Sequence, residues 1–378
     1  MTRYSGRLIR PVWAEVDLET VRDNVRQIRR FIGNGPEIMA VVKAEAYGHG
    51  AVATAKTALK AGATRLGVSL PEEGILLREA GIEVPVLIFG PLLEDQAEPV
   101  CAFNLTPTIT GKAGARALSI EAGRRNQKVG VHIKVDTGMG RVGVLPGEVL
   151  PLVRKISALP HLEIEGIYSH LATADGEDLA YARRQLNVFH QVIDDLQEHG
   201  WEIPLKHMAN SGAIMNLPES YFDLVRAGVI LYGLYPSDKV PRGRLPLRPA
   251  LTLKARVTQV RRVPPGTGIS YGRIYHTKKE TTIITLPIGY ADGWTRLLTN
   301  KARVLFKGNS FPLVGRICMD QCMADVGDTP VEVGEEVVLI GRQGDEEITV
   351  DEVAALLGTI NYEIVCMLSD RVPRIYLN

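Results

Sequence analysis

The sequence has little of what marks several large functional classes. Lys and Arg total 44 against 43 Asp and Glu, a formal net charge of +1. No basic excess points to nucleic acid, and no acidic tail points to a cationic partner. No segment approaches the ~18 uninterrupted apolar residues of a membrane span, so no membrane contact is expected. The opening MTRYSGRLIRPVWAEVD lacks the apolar run of a secretory leader. Cysteines number 4: Cys101, Cys318, Cys322 and Cys366. Only Cys318 and Cys322 are close, and no His or Cys flanks them at zinc spacing. Reduced, mostly buried thiols in a cytoplasmic protein are the expectation. No GxxxxGKS or GxxxxGKT phosphate loop occurs. No fixed-period repeat or low-complexity tract stands out.

What is present is an ordinary globular chain of 378 residues with 45% apolar content. At roughly 150 residues per domain, that length predicts about two domains. Residues 17–32 place Leu18, Val21, Val25, Ile28 and Ile32 on one helical face, with Asp17 suited to the N-cap. Short runs dense in Val, Ile and Leu follow at 37–43, 65–69, 84–89, 105–110, 129–136, 162–170, 204–210 and 221–227. Helical patterns at 51–62, 71–81, 111–125, 147–158 and 177–199 lie between most of them, the first ending on the glycine Gly62. Eight such strand–helix units are the size of a (β/α)8 barrel with strands buried on both faces. A doubly wound sheet is the alternative, and strand count favours the barrel. Around 236–250, PSDKVPRGRLPLRPA reads as a linker. Beyond it, β-type runs at 251–263, 281–290, 301–306 and 335–341 and one short helix at 350–358 predict a mainly β domain. The expected division is 1–240 for a TIM-like barrel and 241–378 for the β domain, with about ten N-terminal residues packing on the latter.

Barrel active sites lie at the C-terminal strand ends. Here those ends carry Lys43; Lys134 and Asp136 followed by Arg141; His170; Asn210 and Ser211; and Arg226. The set is cationic and poor in paired carboxylates, against a His/Asp metal site or a glycosidase pair. It suits an anionic small molecule bearing phosphate and carboxylate. Tyr47 and Ser211 offer hydroxyls, and Gly228 and Val229 offer N–H groups after the eighth strand. Lys43 ends the apolar run of AVVKAEAYGHG (40–50). Such an amine can form a Schiff base with a carbonyl, including that of pyridoxal phosphate (PLP). A snorkelling or salt-bridged lysine is the alternative, and the lysine by itself favours that alternative.

AVVKAEAYGHG resembles the PLP-lysine motif of the alanine racemase family. Further blocks of that family stand in order: KVDTGMGRVG (134–143), YSHLATAD (168–175), HMANSGA (207–213), VRAGVILYGLYP (225–236), GISYG (268–272), PIGYADGW (287–294), GRICMDQC (315–322) and TINYEI (359–364). The resemblance spans nearly the whole chain. It implies a PLP-dependent isomerase interconverting L- and D-alanine, working as a head-to-tail homodimer whose sites are completed by the partner's β domain. Supply of D-alanine for peptidoglycan is the role implied.

The resemblance also implies roles. Lys43 carries PLP and is one acid/base residue; Tyr271, from across the dimer, is the other. His170, and through it Arg226, support the tyrosine, whose phenol must be activated from its reference pKa of ~10. Arg226 faces the pyridine nitrogen, where a guanidinium donates a hydrogen bond without readily yielding a proton. Arg141 holds the substrate carboxylate and the PLP phenolic oxygen. Lys134 matches a lysine that is often carbamylated to orient that arginine. Tyr47, Ser211, Gly228, Val229 and Tyr362 bind phosphate. Met319 and Tyr290 border the substrate carboxylate, and Tyr290 and Tyr362 narrow the entrance, favouring alanine. Asn210 reads as a loop cap, and Asp320 and Asp175 as supporting residues. One departure is Glu45, where the family usually has Asn or Asp. Turned away, it has little effect; turned inward, it raises the lysine's pKa. Alternatives are a broad-specificity racemase for serine or lysine, a PLP decarboxylase of basic amino acids, and a non-catalytic PLP-binding protein. Arg226 opposes the second, because an acidic residue is expected at that nitrogen. Tyr271 and the β domain oppose the third.

Overall fold

The computed structural model describes residues 3–4 and 7–378, with side chains from residue 9 onward. The chain separates into two compact units: residues 20–46 with 51–249, and residues 1–19 with 47–50 and 250–378.

The first unit is an eight-stranded parallel barrel. Its strands are β1 (Glu37–Val41), β2 (Arg65–Val68), β3 (Val86–Pro91), β4 (Thr106–Ile109), β5 (Val129–Lys134), β6 (Leu162–Tyr168), β7 (Leu205–His207) and β8 (Leu224–Ala227). They are hydrogen-bonded in the order β7-β6-β5-β4-β3-β2-β1-β8. Two backbone hydrogen bonds, Asp223 N to Lys206 O and Arg226 N to Ala209 O, each 3.0 Å, join the β7 and β8 segments and close the ring. Each strand arises from one of the eight apolar runs anticipated above. The helices Leu18–Ile32, Ala51–Lys60, Pro71–Glu79, Lys112–Arg124, Val149–Ser157 and Ala180–Glu198 fall on the expected segments. In the first, Val21, Val25, Ile28 and Ile32 are buried as the 3.6-residue period requires. Two short helices, Ala97–Ala102 and Ser211–Asn216, were not anticipated. Each is only six residues long, too short to develop a helical period.

Inside the barrel, Met39, Leu87, Tyr168 and Leu224 form an apolar cluster with Phe89 packed against it. Polar side chains lie directly against this cluster, His207 stacking on Tyr168 with ring centroids 4.6 Å apart. On β5, residues two apart share a face. That alternation puts Gly130, His132 and Lys134 on one side, and His132 and Lys134 are buried.

The second unit is mainly β. Its largest sheet runs in the order 309–312, 303–306, 336–343, 251–256, 12–17 and 374–377, with 346–348 pairing onto 336–343. The strand Val12–Asp17 lies antiparallel to Leu251–Arg256, Leu251 opposite Val16, and parallel to Arg374–Leu377. A second sheet joins Gln259–Val263, Thr281–Leu286 and Cys322–Gly327. The β-type run 251–263 is therefore two strands, in different sheets. The hairpin at 303–312 turns through Lys307 (φ 51°) and Gly308 (φ 74°). Both central residues have positive φ, as a two-residue turn between right-twisted strands demands.

Candidate active site

Lys43 follows β1 and opens a turn with unusual backbone. Ala44, Glu45, Ala46 and Tyr47 all have φ between 50° and 53°. Four successive non-glycine residues in the left-handed region cost about 1–2 kcal/mol each, so something must hold them. Ala46 N donates to Val42 O at 2.9 Å. Ala44 N donates to Glu73 Oε1 at 2.6 Å. The Glu73 carboxylate also accepts from Ser69 N and Leu70 N, at 2.7 and 3.1 Å. Glu45 is exposed and accepts from Ala51 N, at the start of the next helix, at 3.1 Å. The carboxylate that departs from the family pattern therefore serves a helix N-terminus.

The strand ends bring together Lys134, Arg141 and His170, which line one cleft. Lys134 is buried, and no carboxylate lies within ion-pair distance of it among the described residues. Its ammonium sits 4.4 Å over the Tyr168 ring. Burial pushes the Lys134 amine well below its ordinary value, and the nearby charges of Arg226, Arg141 and Lys43 push the same way against Asp136. Burial and the same cations hold His170 neutral, well below the ordinary imidazole value. Asp136 does not face this set as an ion pair. Burial would raise its carboxyl, but backbone N–H groups at Gly138, Gly140, Met139 and Arg141 hold it below the usual range. It shapes the loop that presents Arg141, which is exposed.

Arg226, from β8, is buried. Its Nη2 donates to Ser169 O at 2.8 Å and Met208 O at 2.9 Å, and lies 3.3 Å from His170 Nδ1. Its Nη1 lies 2.9 Å from His207 Nδ1. Burial pushes the guanidinium down to about 10, so it stays cationic at neutral pH, and among the described residues no carboxylate pairs with it. Gly228 N donates to Ser211 Oγ at 3.0 Å, joining the ends of β7 and β8. Val229 opens the following 3₁₀ turn. Asn210 caps the helix Ser211–Asn216, its Oδ1 accepting from Ala213 N at 3.0 Å.

The second unit gathers the other predicted residues into two groups. Tyr47 and Tyr362 have ring centroids 5.9 Å apart. Beside them Gly48 has φ +77° and lies so near the Val365 carbonyl that a Cβ would meet it. Tyr271, Tyr290 and Met319 line a hollow with Arg296, Ile317, Cys318 and Asp320. Tyr271 is 70% exposed, Met319 53% and Tyr290 43%. Ser270, just before Tyr271, has φ 62° and ψ −172°, a region almost confined to glycine. Its hydroxyl is held by Arg316 O at 2.6 Å. Asp320 accepts from Arg371 at 2.6 Å, and Arg371 also approaches the buried Asp292. Asp175 offers its carbonyl to the Ser237 hydroxyl.

The residues that sequence reasoning missed are Glu73, His132 and His207. His132 and His207 sit inside predicted strands, and a period-two reading of β5 would have put His132 on the same side as Lys134.

Models of the alanine racemase N-terminal and C-terminal domains match residues 16–236 and 250–376. An alanine racemase from Desulforamulus reducens is 51% identical over 97% of this chain and 99% of its own length. One from Halothermothrix orenii is 47% identical over 98% of each. Among solved structures, alanine racemase from Clostridium difficile 630 aligns with a TM-score of 0.94 at 42% identity, covering 98% of this chain and 97% of that one. The chain belongs to the alanine racemase family. It is an isomerase that interconverts L- and D-alanine, and its barrel plus β unit is the fold of its structural neighbours.

Proposed function

We propose that this enzyme works with PLP on Lys43, and that two residues from different subunits exchange the substrate's Cα proton. Lys43 Nζ serves one face of Cα and Tyr271 of the partner subunit serves the other. One takes the proton while its opposite returns one, so alanine need not turn over. Lys43 would hold PLP, which when bound would supply electron withdrawal that acidifies the Cα–H bond; the substrate amine takes the lysine's place on the cofactor, which frees Nζ for proton transfer.

The observation that carries the reading is the exposure of Tyr271 (70%), Met319 (53%) and Tyr290 (43%) around one hollow. Large exposed side chains of this kind, clustered around one hollow with Arg296 and Asp320 at its polar side, are expected to be covered by a partner. A homodimer in which that hollow covers the partner's cationic strand ends accounts for it. The cofactor fits the donor set: an amine at Lys43, a guanidinium at Arg226 with no paired carboxylate among the described residues, a hydroxyl at Ser211 that the Gly228 N–H holds in place, and an N–H group at Val229. Tyr47 and Tyr362 add phenols for the phosphate.

The remaining residues have definite tasks. Arg226 would donate to the ring nitrogen of a bound cofactor and, because a guanidinium does not readily yield its proton, would keep that nitrogen from gaining a full charge. A guanidinium has no acceptor. His170 Nδ1 therefore accepts from Arg226, which leaves the proton on Nε2 to donate to the phenolic oxygen of the partner's Tyr271. That stabilises the phenolate whenever Tyr271 has given up its proton. Arg141 binds the substrate carboxylate and the cofactor's phenolic oxygen. Lys134 reacts through its neutral amine with carbon dioxide, forming a carbamate and releasing a proton. The resulting anion fixes Arg141. Met319 and Tyr290 border the carboxylate, and Tyr290 and Tyr362 restrict the side chain to a methyl group. A cytoplasmic enzyme supplying D-alanine for peptidoglycan is the role we assign.

Borohydride reduction followed by peptide mapping tests the cofactor assignment. The label is expected on Lys43 and is lost in Lys43→Ala; equal trapping at another lysine contradicts the reading. Chiral chromatography with L-alanine, L-serine and L-lysine tests the substrate range. D-alanine should accumulate rapidly, with little D-serine or D-lysine.

A further inference from the structure

Beneath the cationic strand ends, the barrel holds a string of polar side chains that no step above uses. Arg226 Nη1 meets His207 Nδ1 at 2.9 Å. His207 Nε2 meets His132 Nδ1 at 2.9 Å. His132 Nε2 lies 3.8 Å from Glu165 Oε2, an electrostatic approach too long for a hydrogen bond, and has no hydrogen-bond partner among the described residues. Glu165 pairs with Arg65, which pairs with Glu37 at 3.2 Å. Both imidazoles are fully buried, and the Tyr168 ring stacks on His207 with centroids 4.6 Å apart. Two glycines make the room. A Cβ at Gly166 would meet His132 Nδ1 at 2.5 Å, and one at Gly130 would meet Glu165 Oε2 at 2.8 Å.

The string has a direction. A guanidinium only donates, so His207 must accept at Nδ1 and carry its proton on Nε2. That proton is donated to His132 Nδ1, so His132 also carries its proton on Nε2, facing Glu165. A histidinium at either position would set N–H against N–H. The carboxylate at the far end favours this tautomer of His132 over the other, and each ring then dictates the next.

We propose that His132 and His207 form a one-way hydrogen-bond string, biased by the nearby Glu165 carboxylate, that fixes the tautomer facing Arg226 and so positions its guanidinium. These are positioning residues: they touch neither substrate nor cofactor. The proposal rests on the reading that Arg226 serves the cofactor's ring nitrogen. Were His207 to present Nδ1–H, Arg226 would lose its acceptor and its aim.

Two variants separate positioning from packing. In His132→Gln an amide oxygen can still accept from His207; in His132→Leu nothing can. His132→Leu is expected to lower kcat roughly tenfold or more while KM for L-alanine moves less than about threefold, and to shift the visible absorption of the cofactor. His132→Gln should recover most of the loss. Unchanged kcat and spectrum in His132→Leu would overturn the proposal, as would equal losses in both variants. Neutron diffraction from the deuterated full-length holoenzyme reads the string directly. Deuterium is expected on Nε2 of both histidines and absent from Nδ1. Deuterium on His207 Nδ1 overturns the proposal. An intact string beneath an Arg226 that does not meet the ring nitrogen instead refutes the reading of Arg226.

Discussion

Glu73 receives the backbone N–H of Ala44 at 2.6 Å, one residue beyond the lysine at the end of β1. That contact ties the left-handed turn to the start of the helix Pro71–Glu79, whose preceding N–H groups the same carboxylate caps. A strained segment persists only where its surroundings over-determine it. Here one side chain binds three backbone donors at once.

Removing that brace should be costly. Glu73→Ala is expected to destabilise the protein by about 1.5–3 kcal/mol, the usual range for hydrogen bonds to a charged group, and to weaken PLP retention. Ala44→Val should cost about 1–2 kcal/mol, because a β-branched residue suits positive φ poorly. Ala44→Gly should be neutral or stabilising. Denaturant titration of the three variants measures the order, and a stable Ala44→Val would contradict the turn.

Glu45 separates stability from chemistry. Its carboxylate caps the helix at Ala51, so Glu45→Ala should lose about 1 kcal/mol of stability, a typical cap contribution. Turnover of L-alanine should stay within about twofold of the parent. A large fall in kcat with unchanged stability would put Glu45 in the chemistry.

Acid should weaken the fold in two stages. His132 and His207 are held below the ordinary imidazole value of 6.5, chiefly by burial. The unfolded chain therefore binds protons that the native state does not, and stability falls as pH drops below about 6.5. Each histidine contributes a slope of up to about 1.4 kcal/mol per pH unit. Glu165, with His132 as the leading cause and burial opposing, is held at about 2 against an ordinary 4.5. Its stabilisation is fully present above 4.5 and is lost as pH falls from there toward 2. Denaturation midpoints from pH 8 to pH 4 should decline, and His132→Gln should flatten the upper part of that decline.

Lys134 should incorporate carbon dioxide. Protein equilibrated with carbon-13-labelled bicarbonate is expected to give a carbamate carbonyl signal that disappears in Lys134→Ala. The same variant should raise KM for alanine more than it lowers kcat, because Arg141 loses its anchor. Absence of the signal would contradict the carbamate and leave Arg141 without that anchor.

Much of this molecule is legible from its sequence. The eight barrel strands are dense apolar runs, and burial on both faces makes such runs conspicuous. The cations at their ends were found from strand position alone. Less visible were elements with little periodicity: the six-residue helices, the break at Val257 that sends 251–263 into two sheets, and the edge strand Asn309–Pro312. The left-handed turn at 44–47 could not be read, because alanine and glutamate carry no signal for positive φ; Glu73 enforces it from 29 residues away. The buried histidines were hidden for a related reason. Only the register of three strands brings His132, His207 and Arg226 into line, and no local pattern encodes that register.

The central claim is that each site draws Lys43 from one subunit and Tyr271 from the other. Mixing Lys43→Ala and Tyr271→Phe homodimers, each inactive, under conditions of subunit exchange tests it most directly. In each heterodimer one site would have both residues intact, so racemisation of L-alanine should return. Exchange verified by mass spectrometry without any recovery would put Lys43 and Tyr271 in the same chain's site and contradict the account.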